Sequence, residues 1–561
     1  MSKRQFWLSW NRGTLLVLFA WIATLALLLY RVQFGVSHRD EAFYSAMPYA
    51  FALGARPFFD ELAIHQNAAI LMTPLYRGYL AIVGSADGII LFNRYAYVVY
   101  LALCALLAYR YVRSRVGRAA ACAASLLVLV FSYCNLFALS YNTLGAMGFF
   151  AGGVLSAGAV AVPRPAKRLF GAGMLFLSAM FAYPGLAPAV LVYALVVAAW
   201  FYRRTSAATF RSALGGLGAS AVCTVLVALA AAIWIGREGF ERLLEFSRSM
   251  GYGQGNSRWW DGLAAWRGPV LGFVGVLVAW PLLTWRFPRL NGSITLIGVL
   301  VSAWLYQACI GVAAATPATL LLCALPVLAP ACVLAHREGR DGRELLALIW
   351  LPGILAMLCC TFTSANRYQA ASLGALLVEL AGVIAFARLC GSAEARAPLS
   401  GAVALSGLTV TLFVLQAHSL FAAVYADNPS FAANDTRVSR GPMRGVRTTP
   451  AEAKRLAAVD QDLKAVAGQG RTITVFDGFA TGYLSTKLTP HTFTHWIVWV
   501  MTPGYSRAIM RERFGRPELL PDIVLKIEYQ GARRFWESYE RGHYRVLIDR
   551  PDYGYTILKK I

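Results

Sequence analysis

Four ionisable side chains, His38-Arg39-Asp40-Glu41, follow the first apolar segment of the chain. A second polar stretch, Arg56-Pro57-Phe58-Phe59-Asp60-Glu61, comes soon after, ahead of His65-Gln66-Asn67. Two adjacent carboxylates repel each other, so Asp40 and Glu41 call for a cation or a ligand between or beside them. A carboxylate there can take the proton of a hydroxyl, and an arginine can receive an anion such as a phosphate through paired hydrogen bonds. Arg39 and Arg56 also permit a plainer reading, a solvated loop whose charges pair locally.

Arg258, in Asn256-Ser257-Arg258-Trp259-Trp260, and Arg367, in Asn366-Arg367-Tyr368, are further arginines set among aromatic residues. Arg367 is the one charge of its short loop and reads equally as an interfacial anchor beside Tyr368. Trp259 and Trp260 can belong to an aromatic belt or offer a stacking surface. His491 and His495 have the spacing of one helical face, but a metal centre needs more ligands than these. Glu379 falls in the middle of an apolar run, where an unpaired charge costs a few kcal/mol, so it is neutral or meets Gln307.

The elements that must carry these residues follow from composition. Of 561 residues 58% are hydrophobic and 14% charged, with mean hydropathy +0.54. An ordinary globular chain is about 25% charged, so a polytopic α-helical membrane protein is indicated, and a disordered chain, a fibre and a disulfide scaffold are excluded. Crossing about 30 Å of hydrocarbon takes about 20 apolar residues. Such runs lie at 13–30, 89–109, 119–137, 143–162, 168–182, 185–202, 212–235, 268–285, 292–312, 317–335, 344–362, 369–388 and 399–424, about thirteen helices.

With Lys3, Arg4 and Arg12 placed on the cytoplasmic side, every second loop is basic: Arg110 to Arg118, Arg164 to Arg168, Arg203 to Arg211, Arg286 with Arg289, Arg337 to Arg343, and Arg388 with Arg396. The intervening turns around Tyr141, Tyr183 and Ala315 carry no charge. That asymmetry sets the orientation and accounts for much of the net charge of +24, so nucleic acid drops out as a partner. Tyr183-Pro184-Gly185 either joins two helices or interrupts one; basic clusters on both sides of the pair require two.

The predicted outer segments are a first loop at 31–88, a second at 236–267 and the tail at 425–561. The loop includes an apolar helix over Ala69 to Val83, interrupted by Pro74 and Arg77, which lies on the surface. The tail is polar, with alternating stretches at Thr472 to Phe476 and Arg545 to Ile548 and a helix from Pro450 to Val466, the pattern of a small α/β domain. No small-residue cleavage site follows Tyr30, so the first segment reads as an anchor. All ten cysteines fall in or beside predicted helices, which leaves the tail to hold itself together by packing.

Asp40-Glu41-Ala42-Phe43-Tyr44, Ala52-Leu53-Gly54-Ala55-Arg56-Pro57-Phe58-Phe59-Asp60, His65-Gln66 and Pro74 together resemble the first outer loop of the GT-C integral membrane glycosyltransferases. Within them the likeness is to bacterial relatives of protein O-mannosyltransferases and of lipid A aminoarabinose transferases. Val475 to Phe479, Tyr483-Leu484, Pro490, Phe493, Trp496, Pro521 to Val524 and Tyr555-Thr556 are similar to strand fragments of that group's C-terminal domains.

The resemblance implies a GT-C transmembrane domain at 1–424, an extracytoplasmic α/β domain at 425–561, and residence in a bacterial cytoplasmic membrane. It implies transfer of a sugar from a polyprenyl-phosphate donor to a hydroxyl of a glycan, glycolipid or protein acceptor. Asp40, with Glu41 beside it, takes the catalytic role; Arg367, Arg258, Arg56 and Tyr368 receive the donor phosphate; Asp60, Glu61, His65, Gln66 and Trp259 face acceptor or sugar. It fixes no cofactor and leaves a divalent metal open. A secondary transporter, for which Glu379 speaks, and a non-catalytic envelope-assembly protein are the alternatives. A transporter calls for repeated halves and interrupted midplane helices, which the pattern lacks.

Overall fold

A computed structural model describes residues 12–249, 326–334, 339–364, 370–391, 430–495, 516–527 and 542–561, apart from Arg39, Ile64, Cys134, Asn135, Asp477 and Phe493, together with scattered positions between 407 and 424. In chain order the helices are α1 (Arg12–Arg31), α2 (Asp40–Ala52), α3 (Gln66–Val83), α4 (Ile89–Val116), α5 (Arg118–Leu129), α6 (Tyr141–Ala159), α7 (Ala166–Ala182), α8 (Ala187–Arg204), α9 (Ala207–Ser249), α10 (Arg340–Leu345), α11 (Leu351–Thr363) and α12 (Ser372–Gly391). Five stretches among the described residues are long and apolar enough to cross a membrane: Ile89–Val116, Pro184–Arg204, Ala207–Glu245, Arg340–Thr363 and Ser372–Cys390. This is a multi-pass arrangement. The expected spans at 268–285, 292–312, 317–335 and 399–424 lie wholly or largely outside the described residues.

Three helix boundaries carry physical information. A turn of 3-10 helix at Pro184–Leu186 separates α7 from α8, so the Tyr183-Pro184-Gly185 junction joins two helices. A Cβ on Gly185 would meet the Thr363 hydroxyl at 2.4 Å, so glycine lets this turn seat against the end of α11. The span expected over 119–137 is shorter, because α5 ends at Leu129 and an irregular segment runs on to Ser140. Neighbouring side chains satisfy its backbone: Tyr97 donates to the Phe131 carbonyl at 3.0 Å, Asn93 to that of Leu139 at 3.3 Å and Thr143 to that of Ala138 at 2.8 Å. The loop expected to begin at residue 236 is likewise corrected, since α9 bends at Gly236 (φ 62°) and continues to Ser249.

The passage from α10 to α11 is a π-turn, Leu346–Trp350. Pro352 lacks the N–H that an α-helix would offer to the Leu348 carbonyl. The buried Tyr193 hydroxyl of α8 donates to that carbonyl instead, at 3.0 Å. The described core is deepest around α12, where 83% of the apolar window is buried against 6% in α9. Glu379 is buried on α12 beside Leu127 and Val128 of α5; Gln307, its anticipated partner, lies outside the described residues.

After residue 430 come a hairpin, β1 (Thr436–Arg437) with β2 (Arg447–Thr448), and helix α13 (Pro450–Val466), capped by Thr449 with Pro450 at its first turn. A five-stranded sheet follows in the order β4-β3-β5-β7-β6, built from β3 (Thr472–Phe476), β4 (Thr489–Pro490), β5 (Ile523–Ile527), β6 (Tyr544–Arg550) and β7 (Tyr555–Lys560). The β3 strand pairs in parallel with β4 and β5, and β7 pairs antiparallel with β5 and β6. A short helix, α14 (Thr481–Leu484), crosses from β3 toward β4.

Candidate functional site

Asp40 and Glu41 open α2, and their side chains go to different places. Glu41 is buried, and Arg94, one turn into α4, grips both its oxygens at 2.6 Å. The same guanidinium donates to the carbonyls of Val32 (2.7 Å), Phe34 (3.2 Å) and Gly35 (2.6 Å). One arginine therefore fixes both the exit from α1 and the start of α2. Its five donors in a rigid fork suit that task in a way a lysine could not. Asp40 remains at the partly exposed first turn of the helix.

Upstream of Asp40, His38 is held by the tail. Its Nε2 lies 2.7 Å from Glu452 Oε1 on α13, its Nδ1 lies 3.1 Å from the Thr481 hydroxyl on α14, and its ring stacks on Phe479 at 4.4 Å. Burial works against the Glu452 charge, yet the bond to His38 and the charges of His38 and Arg455 outweigh it and hold the carboxyl below its ordinary range. Backbone pairing extends the contact: Gly35 donates to the Arg447 carbonyl at 2.9 Å and Arg447 to that of Gln33 at 2.6 Å. Asp40 thus stands between two immobilised neighbours, one tied to a membrane helix and one to the tail.

The second polar stretch folds into a tight loop. Arg56 and Asp60 pair with each other at the surface, through the Arg56 N–H at 2.7 Å and the guanidinium at 3.5 Å. Phe58 adopts a left-handed backbone (φ 69°), costly for a bulky residue, and its N–H is held by Gln66 Oε1 at 2.6 Å. His65 is buried among Phe43, Tyr44 and Tyr141, with ring centroids 5.7, 6.3 and 4.3 Å away. Burial pushes its imidazole down to about 4, against the opposing influence of Glu61.

Glu61 is a buried joint between the first loop and the tail. Its Oε1 accepts from the Ala63 N–H at 2.9 Å, and its Oε2 accepts from the His495 N–H at 2.9 Å and lies 2.7 Å from His495 Nδ1. His491 and His495 do not share a helical face. They follow β4 in a segment that is neither helix nor strand at the described residues; the His491 N–H donates to the Ile473 carbonyl, and its ring lies against the Leu519 carbonyl. Arg258, Trp259, Arg367 and Tyr368 lie outside the described residues.

Arg94 escaped the sequence reading, and His38 and His495, though named there, were given no part in the site. Asn93-Arg94 left a signal, a polar pair at the start of an apolar run. His495 left none that its pairing with Glu61, 434 residues away, could have been inferred from.

No protein-family model matches the sequence, and no curated protein matches it. Among solved structures the chain is similar to the archaeal oligosaccharyltransferase AglB from Archaeoglobus fulgidus, determined in complex with an inhibitory peptide and a dolichol-phosphate. The TM-score is 0.42 and the identity 11%, over 90% of this chain and 69% of that one.

Proposed function

We propose that this chain is a membrane-embedded glycosyltransferase of the GT-C type. It moves a sugar from a polyprenyl-phosphate carrier to an acceptor hydroxyl at the outer face of a bacterial cytoplasmic membrane. The observation that carries this reading is the setting of Asp40: a partly exposed carboxylate at a helix start, between His38 on the tail and Glu41 on Arg94. Its first-loop motif supports the same assignment.

In the proposed step the acceptor oxygen attacks the anomeric carbon while its proton passes to Asp40. The bond from that carbon to the phosphate oxygen breaks, and polyprenyl phosphate leaves with the electron pair. A hydroxyl is a weak nucleophile until its proton has somewhere to go, which is what the carboxylate supplies. The departing phosphate gathers negative charge, for which Arg56, Arg258 and Arg367 are the candidate receivers. Residues 1–424 then form the membrane domain and 425–561 the outer domain, with the N-terminus inside.

The test is transfer of labelled sugar from a polyprenyl-phosphate donor in liposomes. Asp40→Asn keeps the shape and removes the basicity, so transfer should fall by roughly 10²- to 10⁴-fold with donor binding near normal. Full activity in a folded Asp40→Asn protein would remove Asp40 from the reaction.

A further inference from the structure

Glu61 and His495 make a buried dyad whose second ring nitrogen has no partner among the described residues. Both side chains are buried, at 0% and 2% exposure, and the carboxylate lies 2.7 Å from Nδ1. A carboxylate oxygen accepts, so Nδ1 carries the proton in the neutral ring and Nε2 is left with its lone pair. That Nε2 has no hydrogen-bond partner among the described residues. A buried polar atom left without a partner costs about 1–3 kcal/mol, so a ligand able to supply a donor is favoured there.

The same loop holds a complementary atom. The Gln66 side chain is fully buried, and its Oε1 is taken by Phe58, while its Nε2 donor has no partner among the described residues. Gln66 reaches Glu61 through one link, since its N–H donates to the Ala63 carbonyl and the Ala63 N–H donates to Glu61. The junction of loop and tail therefore offers an oriented acceptor at His495 Nε2, which a hydroxyl can answer by donating.

We propose that His495 Nε2 binds a hydroxyl of the acceptor, with Glu61 as the positioning residue that fixes the imidazole tautomer. The identity of the ligand as acceptor rests on the glycosyl-transfer reading; the hydroxyl site itself does not.

The experiment uses the full chain in lipid nanodiscs, labelled with ¹⁵N-histidine, with the signal of His495 assigned by its loss in His495→Gln. The probe is methyl α-D-mannopyranoside, compared with its per-O-methylated form. The expected spectrum shows a protonated Nδ1 and a bare Nε2, and only the glycoside with free hydroxyls moves the Nε2 signal. In Glu61→Gln the amide can donate to Nδ1, which drives the proton to Nε2, and glycoside affinity should fall roughly five- to tenfold. A proton on Nε2 in the native protein, no response to the glycoside, or an equal response to both forms would overturn the proposal. So would a signal that moves on chelation, which would assign the site to a metal ion. Sugar transfer measured alongside keeps the two readings apart. A responsive Nε2 without transfer counts against the enzyme reading alone, and transfer with an unresponsive Nε2 against this site alone.

Discussion

Neighbouring carboxylates with one formal charge each have unlike work because their surroundings differ. Glu41 neutralises Arg94 in the interior, and removing one partner of a buried ion pair strands the other. Glu41→Gln should therefore destabilise the folded protein by about 3–5 kcal/mol, read as a lower melting temperature in detergent. Asp40→Asn should melt near the native temperature. A Glu41→Gln protein as stable as the native one would show that the pair with Arg94 does not hold the loop.

His65 gives a prediction in pH. Burial lowers its folded value to about 4 from 6.5, so between those limits the unfolded chain binds a proton that the folded chain refuses. Stability then falls as pH drops from 6.5 to 4, by up to about 3 kcal/mol, and this contribution levels off below 4. Glu452 is depressed below the ordinary carboxylate range, so its contribution persists to lower pH and is lost as pH falls through its folded value. Melting curves of the native protein and of His65→Phe across this range check the sign, since the variant should lose the slope between 6.5 and 4.

Among the elements, α11 shows how one side chain substitutes for a backbone donor. Tyr193→Phe removes the hydroxyl that serves the Leu348 carbonyl and keeps the ring, which should cost about 1 kcal/mol in detergent unfolding. An unchanged midpoint would mean that another donor serves the carbonyl. The tail elements were largely legible: β3 spans Thr472–Phe476 and α13 Pro450–Val466, as the sequence pattern predicts, because that pattern is written in adjacent residues. The early end of α5 was not legible, since Val130 to Leu139 are apolar enough for a helix. What lets them leave it is the set of donors from Asn93, Tyr97 and Thr143 on neighbouring helices.

At the scale of the whole molecule, loop and tail act as one unit. Besides the clasps of His38 and Glu61, Lys464 reaches Asp87 at 3.0 Å and Gly88 donates to the Gly441 carbonyl at 2.9 Å. The expectation that the tail holds itself together by packing is thus incomplete, because the first loop supplies part of its hold. Loop and tail must then share one side of the membrane, the outer one in the proposed topology. Reporters fused after residue 427 should be active only for an extracytoplasmic reporter. Activity of a cytoplasmic reporter would place loop and tail inside and remove the proposed reaction.

Hydropathy, the placing of basic residues and strand alternation determined by themselves that this is a membrane protein, where many of its helices begin, and that the tail contains a sheet. These are local quantities, set by residues within a few turns of one another. Only the tertiary structure decided the partners of Glu41 and Glu61. Glu41 meets an arginine 53 positions away and Glu61 a histidine 434 positions away. Those pairings depend on which helices and strands pack together, and burial then turns a hydrogen bond that is weak in water into one that fixes a site.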